Sequence, residues 1–449
     1  MEQTADLAMM LAAREKRALR QTQMLSRHHL PLVSFSMNIA GPVKNSPLIR
    51  RGFALGRRRL LEQIRLSGGD IAEEEETDAP TGCEGLYAVR MDAQALKRLT
   101  CRLEEALPLG RLYDMDVISA DGVKLERPFP RRCLICGKPA RDCARSRAHS
   151  VEELQRVTRA MLQNALNEHD AQTASALAAR ALLYEVAVSP KPGLVDRFGP
   201  GSHRDMDFYT FQSSVSALWP YFSQCVLTGR QTASLPAPQT LAALRVHGLL
   251  AEGDMLRATG NVNTHKGAVY SMGLLCGALG RLKREDWTKP DRILREISLM
   301  ATGTVEQELA RLPRTERMTA GQRIYADYGI AGVRGEAEKG FPTVLDRGLP
   351  ALEKCLREGR TVDEAGCAAL LELIASTPDT NMIARGGMKK SREAAARAEE
   401  TLRLDPCPGR DALEDLDASF TADRLSPGGS ADLLALCFML HFLRKEPTD

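Results

Sequence analysis

What the sequence lacks narrows its class first. The longest apolar run, Gly267–Leu282, holds four glycines and falls short of the roughly 20 apolar residues a membrane span requires. No membrane segment is expected. The start, M-E-Q-T-A-D-L, has no basic stretch followed by an apolar one, so no secretory leader is expected. The 11 cysteines, an odd number, are scattered rather than spaced as a disulfide framework. Disulfides are therefore not expected, and the cytoplasm is the expected location. There is no P-loop, G-x-G-x-x-G or kinase signature, so any nucleotide must be held in another way. No fixed-period repeat is present. Strong charge is missing too. Residues 1–150 carry 25 Lys and Arg against 19 Asp and Glu, and the rest 36 against 39. That bias suits an anionic small molecule or an acidic protein partner and is too weak to argue for nucleic acid.

What is present reads as a soluble globular chain of two or three domains, with 449 residues, 43% hydrophobic and 27% charged. The first 30 residues have helical periodicity. Alternation over Leu32–Ile39 predicts a strand entering a Gly-Pro turn, followed by a helix over Phe53–Leu66. The tract Gly68–Gly82, with Glu73–Glu76, reads as a mobile acidic loop. Gly85–Met91 reads as a strand, Ala93–Leu107 as a helix and Arg111–Ile118 as a strand, which together argue for a small α/β domain. Beyond about residue 150 the pattern is helical. Helices are expected over Val151–Tyr184 (in two segments), Phe208–Leu227, Thr240–Met255, Lys266–Leu282, Pro290–Leu312, Val344–Glu358, Asp363–Ser376 and Ser430–Arg444. This predicts an N-terminal α/β (α+β) domain followed by an all-α domain, with the boundary near 150–172.

Chemistry-bearing residues gather in a few places. Between Ser189 and Asp207, three prolines and three glycines forbid a continuous helix, yet the stretch carries Lys191, Asp196, Arg197, His203, Arg204, Asp205 and Asp207. A loop so stiff and charged is a candidate binding loop. Four more polar segments share its character. G-N-V-N-T-H-K-G places Asn263, Thr264, His265 and Lys266 before a helix, where Asn263 or Thr264 can cap and the amides attract phosphate. A Gly-rich turn over Tyr328–Pro342 carries Arg334, Glu336 and Lys339. Thr377–Gly387 carries Asp379, Asn381 and Arg385 at a helix junction. In S-P-G-G-S-A-D-L-L-A, Ser430 is the expected N-cap with Asp432 in the first turn. Each could be an ordinary connector. Five in one helical domain can converge on a single cleft.

In the first domain, Asp114 and Asp116 share one face of a strand while Tyr113, Met115 and Val117 take the other. Paired carboxylates suit Mg²⁺ held against a triphosphate, although two exposed aspartates on an edge strand would look the same. Lys44 and Arg57, Arg58 and Arg59 are candidate phosphate ligands, or an exposed basic helix face. Cys133, Cys136, Cys143 and His149 have the ligand types and tight first spacing of a structural Zn²⁺ site, though free cysteines are also often buried as small hydrophobes.

Taken together, S-P-K-P-G-L-V-D…G-S-H-R-D-M-D, N-T-H-K-G, G-V-R-G-E-A, T-P-D-T-N and S-P-G-G-S-A-D-L-L, spread over residues 174–440, resemble triphosphoribosyl-dephospho-CoA synthase. S-M-N-I-A-G-P-V-K, G-R-L-Y-D-M-D-V and R-C-L-I-C-G…C-A-R-S-R-A-H-S, over roughly 13–165, resemble holo-citrate lyase synthase, a phosphoribosyl-dephospho-CoA transferase. One departure is Asn38-Ile39-Ala40-Gly41, where that family often has N-I-P-G. The resemblance implies a nucleotidyltransferase-like domain over 1–165 and an all-α synthase domain over 172–449. It implies two consecutive steps, in which ATP and 3′-dephospho-CoA give the triphosphoribosyl product and adenine, and the phosphoribosyl-dephospho-CoA then passes to a serine of the acyl carrier (gamma) subunit of citrate lyase with loss of pyrophosphate. It further implies carboxylates near the ribose, for which Asp196, Asp205, Asp207, Glu336 and Asp379 are candidates. Lys191, His203, Arg204, His265 and Arg385 would bind phosphates, with Asn263, Lys266, Arg334 and Ser430 beside them. Mg²⁺ would sit on the triphosphate, and Asp114 and Asp116 would be metal ligands. Two rivals stay open: the same chemistry on the malonate decarboxylase carrier, and a non-catalytic nucleotide-binding regulator.

Overall fold

The computed structural model describes residues 4–311 and 318–446. Leu312, the last residue of the helix expected from Pro290, and Met1–Gln3 lie outside the described residues. The chain divides between Glu168 and His169 into two compact units.

The first unit runs α1 (Leu7–His28), β1 (Leu32–Met37), α2 (Pro47–Leu66), β2 (Asp70–Ala79), β3 (Gly82–Arg90), α3 (Ala93–Ala106), β4 (Tyr113–Ile118) and α4 (Ala140–Ser146). Its strands form one antiparallel sheet in the order β2-β3-β1-β4. Period-two alternation splits the side chains between two faces. Val33, Phe35, Tyr87, Val89, Tyr113, Met115 and Val117 pack with α2 and α3. Leu32, Leu86, Ala88 and Ile118 form a smaller cluster with Met24 of α1 on the other side.

The acidic tract expected to be a loop is strand β2. Four consecutive glutamates are poor strand formers, but each face of the strand meets cations. On the α1 side Arg27 contacts Glu73 at 2.5 Å and Arg20 contacts Glu75 at 3.3 Å, with His28 also on Glu73. On the α2 side Arg57 pairs with Glu74 and Glu76, and Tyr87 donates to Glu76 at 2.9 Å.

One continuous helix, α5 (Val151–Ala187), replaces the two segments expected from Val151. The second unit then runs α6 (Phe208–Gln231), α7 (Ala237–Ala258), α8 (Lys266–Arg281), α9 (Pro290–Ala301), α10 (Ala320–Tyr328), α11 (Gly332–Glu338), α12 (Leu349–Arg357), α13 (Val362–Ser376), α14 (Thr380–Leu404), α15 (Arg410–Ala422) and α16 (Gly428–Lys445), with no strand among the described residues. The Gly-rich turn expected around Arg334 is thus helix α11. Wide helices α13 and α16 are buried nearly all round, as helices apolar on every side must be. α6 and α8 touch backbone to backbone: a Cβ on Gly229 would lie 2.1 Å from Gly277 O, so only glycine fits. Cys355 and Cys407, both buried, are joined by a disulfide where none was expected. The two cysteines are 52 residues apart in sequence, and only packing brings the end of α12 beside the α14–α15 connection. Among the described residues no helix is long and apolar enough to cross a membrane.

Candidate functional site

The first candidate site belongs to the second unit, where all five charged segments help line one cavity of about 430 Å³. Lys191 and His203 come from the loop before α6, and Asn263, Thr264, His265 and Lys266 from the start of α8. Arg334 and Glu336 stand on α11, Asp379, Asn381 and Arg385 at the start of α14, and Ser430 and Asp432 on α16. The N-termini of three long helices (α8, α14 and α16) therefore face one space, and each is a region of positive potential.

The loop before α6 is pinned from within. Asp196 accepts from the amides of Lys191 (3.0 Å), Phe198 (2.7 Å) and Gly199 (3.2 Å), so its carboxylate holds the turn and lies outside the cavity lining. The Ser189–Pro190 bond is cis. Asp207 caps α6 in a capping box with Thr210, which draws its carboxyl below the usual range. Asp205 and Arg204 are exposed, and neither lines the cavity, although Asp205 comes within 3.9 Å of His203. Of the five carboxylates first considered, only Glu336 and Asp379 line it.

Two others complete the set. Glu185, at the end of α5, is 4% exposed and pairs with Lys191, itself 1% exposed, at 2.5 Å; Lys191 Nζ also donates to Glu185 O at 2.7 Å. Asp432 lies so close to α8 that a Cβ on Gly267 would sit 1.9 Å from its Oδ2. Burial pushes all four carboxyls up. For Glu185 the Lys191 ammonium opposes the rise, and for Asp432 the neighbouring Glu185 and Asp379 add to it, holding it well above its ordinary value.

Their hydrogen bonding separates their roles. Asp379 accepts from Asn381 N (2.8 Å) and Met382 N (3.2 Å) through Oδ1, and from Ser430 N (2.7 Å) and Ser430 Oγ (3.0 Å) through Oδ2. It caps α14 and ties it to α16. Ser430 is consequently not an N-cap but lies in the first turn of α16, and Asp432 is in the second turn. Neither Asn263 nor Thr264 caps α8, whose N-cap position is His265, and Thr264 donates instead to Ser214 Oγ at 2.8 Å. Glu336 accepts from Thr343 Oγ1 at 2.9 Å. Asp432 accepts from the α8 amide of Ala268.

Both histidines are held neutral. Burial and then the Arg385 guanidinium lower His203 to about 4, its Nδ1 accepting from Arg385 at 3.1 Å. Burial lowers His265 to about 3; its Nδ1 meets Ser214 Oγ at 2.7 Å, while Nε2 is buried with no hydrogen-bond partner. Among the cations, Lys266 pairs with Glu252 (2.9 Å) and Arg334 with Glu308 (2.7 Å), whereas Arg385 reaches Ser202 O and His203.

The first unit has a smaller cavity of about 180 Å³ on the α1 side of the sheet, lined by Arg14, Arg17, Lys44, Asn38, Glu84 and Asp114 among others. Register aligns Asp114 with Ser36 and Asp116 with Ser34 on that face. Arg57, on α2, pairs with Glu74 and Glu76 on the opposite face of the sheet, and Arg59 pairs with Glu62 at 3.1 Å. The helix carrying Arg57–Arg59 thus packs on the side away from the aspartates, whereas Arg14 and Arg17 of α1, unflagged by any sequence motif, line the same cavity as Asp114, with Arg17 paired to Glu84 at 3.2 Å. Asp114 accepts from Arg131 at 2.9 Å and Asp116 pairs with Lys124. Cys133, Cys136, Cys143 and His149 bring one ligand atom each within 4.8 Å of one another.

The profile of ATP:dephospho-CoA triphosphoribosyl transferase matches residues 171–448, and that of apo-citrate lyase phosphoribosyl-dephospho-CoA transferase matches residues 5–165. Protein CitXG of Haemophilus influenzae is 36% identical over 97% of this chain and 96% of its own. Protein CitXG of Leuconostoc mesenteroides subsp. cremoris is 33% identical over the same shares. The 2-(5''-triphosphoribosyl)-3'-dephosphocoenzyme-A synthase of Pectobacterium atrosepticum is 42% identical over 60% of this chain and 88% of its own. A bifunctional transferase that makes the triphosphoribosyl-dephospho-CoA precursor and transfers phosphoribosyl-dephospho-CoA from it to the apo-citrate lyase acyl carrier, the chain belongs to the family in which these two enzymes are fused.

Proposed function

We propose that ribosyl transfer takes place in the cavity of the second unit, and nucleotidyl transfer beside Asp114 and Asp116 in a nucleotidyltransferase-like first unit. The observation that carries the first assignment is the meeting of all five charged segments around one cavity. The 2′-hydroxyl oxygen of dephospho-CoA bonds to the ribose C1′ of ATP as the bond to adenine N9 breaks. The hydroxyl proton goes to a carboxylate, and adenine leaves with the bonding pair. Positive charge develops on the ribose, so carboxylates at the reacting carbon stabilise the transition state.

Asp432 is the proposed base. Asp379 is committed to four hydrogen bonds, Glu185 to Lys191 and Glu336 to Thr343. Arg385, Lys266 and Arg334 at the cavity supply positive charge for the triphosphate, with the positive dipole ends of α8, α14 and α16 behind them. His265 Nε2, buried without a partner, is the place for a polar atom of a substrate. Bringing a triphosphate among Glu185, Asp379 and Asp432 calls for a counter-cation, and Mg²⁺ would offset that charge when bound. In the first unit Asp114 and Asp116 fit the same ion by donor type, with Lys44, Arg14 and Arg17 for the phosphates. There the serine oxygen of the carrier attacks the α-phosphorus and pyrophosphate departs. Cys133, Cys136, Cys143 and His149 fit structural Zn²⁺. A cytoplasmic location fits these nucleotide substrates.

Purified protein with ATP, Mg²⁺ and dephospho-CoA should release adenine, and added apo carrier of citrate lyase should gain mass as pyrophosphate appears. Asp114→Ala and Asp116→Ala should abolish the mass gain and leave adenine release intact. Absence of adenine would refute the assignment of the second unit, and loss of both activities would refute separate sites.

A further inference from the structure

From Asp121 to Ser150 the chain has one buried residue, Cys133. α4, inside this stretch, buries none. So exposed a segment gains little from apolar burial and needs another source of order. Its backbone is already folded around sulfur. Ile135 N points at Cys133 Sγ (3.4 Å), Cys133 N donates to Lys138 O (2.6 Å), and Gly137, at φ +72°, makes the turn between Cys136 and Lys138. Cys136 and Cys143 sulfurs lie 3.4 Å apart, unbonded. His149 presents a buried Nε2 with no hydrogen-bond partner, while its Nδ1 faces Glu153 at 3.6 Å. A carboxylate behind a histidine is the usual orienting partner of a metal-bound imidazole.

The same stretch reaches the aspartate of the transferase site. Arg131, two residues before Cys133, donates to Asp114 at 2.9 Å and to Glu104 at 2.6 Å. Its carbonyl accepts from Ala140 N at 2.8 Å, where α4 begins on the way to Cys143. Glu104, 3% exposed, also accepts from Met115 N at 2.7 Å, next to Asp114 on β4. We infer that Zn²⁺ bound by Cys133, Cys136, Cys143 and His149 cross-links this segment and thereby positions Arg131 against Asp114, making carrier modification zinc-dependent and adenine release zinc-independent. Binding displaces the thiol protons and leaves three thiolates and one neutral imidazole on the ion. The metal site stands on the cluster alone; its effect on transfer rests on placing nucleotidyl transfer at Asp114.

The full-length protein, purified without chelator, should contain one zinc per chain by metal mass spectrometry, and cobalt exchanged into it should show sulfur-to-cobalt charge-transfer absorption. Cys136→Ser should lose the metal, His149→Cys should keep it, and Glu153→Gln should weaken zinc affinity about ten- to hundredfold. Removing zinc with a chelator that is then dialysed away before Mg²⁺ is restored, or Cys136→Ser, should lower carrier modification at least about tenfold with adenine release unchanged. Zinc content equal in wild type and Cys136→Ser, free thiols without metal, or a Cys136–Cys143 disulfide would overturn the metal site. Zinc that can be removed without effect on transfer would overturn the positioning role alone.

Discussion

Replacing Lys191 by methionine should destabilise the second unit by an amount set by pH. Lys191 and Glu185 are 1% and 4% exposed and bonded at 2.5 Å. Removing the ammonium leaves a buried carboxylate with no cation, a change that costs about 3–5 kcal/mol in comparable pairs. The chain limits this loss by protonating Glu185. Keeping that carboxyl neutral at pH 7, against an unfolded-state pKa of about 4.3, costs about 3.7 kcal/mol. The variant's fold then holds a proton that its unfolded chain releases, so its stability rises as pH falls. The deficit relative to wild type should shrink by about 1.4 kcal/mol per pH unit and be about 1.6 kcal/mol at pH 5.5. Urea unfolding of both proteins between pH 5.5 and 7.5 measures this. Adding Glu185→Gln to Lys191→Met should restore most of the stability, because no charge then remains to be buried. A deficit independent of pH, or a double variant as unstable as the single one, would refute the reasoning.

Asp432→Asn should slow adenine release about 10²- to 10⁴-fold while raising the midpoint of thermal unfolding, since a carboxylate held well above its ordinary value is a burden at neutral pH. A fall in rate of less than tenfold would point to another base, with pre-steady-state adenine release as the assay. Gly229→Ala should cost about 1–3 kcal/mol by overpacking, because its Cβ would press on Gly277 O at 2.1 Å and force α6 and α8 apart; unchanged urea unfolding would show that the helices can separate freely.

Parts of this architecture could be read from the sequence because local pattern and tertiary context agree. Alternation at Tyr113–Ile118 separates Asp114 and Asp116 from the buried set, and β4 does the same. The five charged segments could be recognised by composition, and they line one cavity. Elsewhere the deciding partner is distant in sequence. Nothing local distinguishes Asp379, which the fold uses as a clamp, from Asp432, whose surroundings come from α5 and α8. Glu185 ends a long helix with no motif of its own, and only the returning Lys191 marks it. The run Glu73–Glu76 reads as a loop because its neutralising arginines lie on α1 and α2. Helix α14 was hidden by Gly386 and Gly387, and its backbone does leave helical geometry at Gly387 (φ +77°).

The glutamate strand also bears on how the molecule behaves in a crowd. β2 is an outer strand of its sheet, and an outer strand offers unpaired amides and carbonyls to any other chain. A second copy approaching β2 edge to edge would set Glu73–Glu76 beside the same four carboxylates. Within one chain these charges are matched by Arg20, Arg27 and Arg57; between two chains they are not. The tract least suited to making a strand thereby guards this edge of the sheet against a fifth.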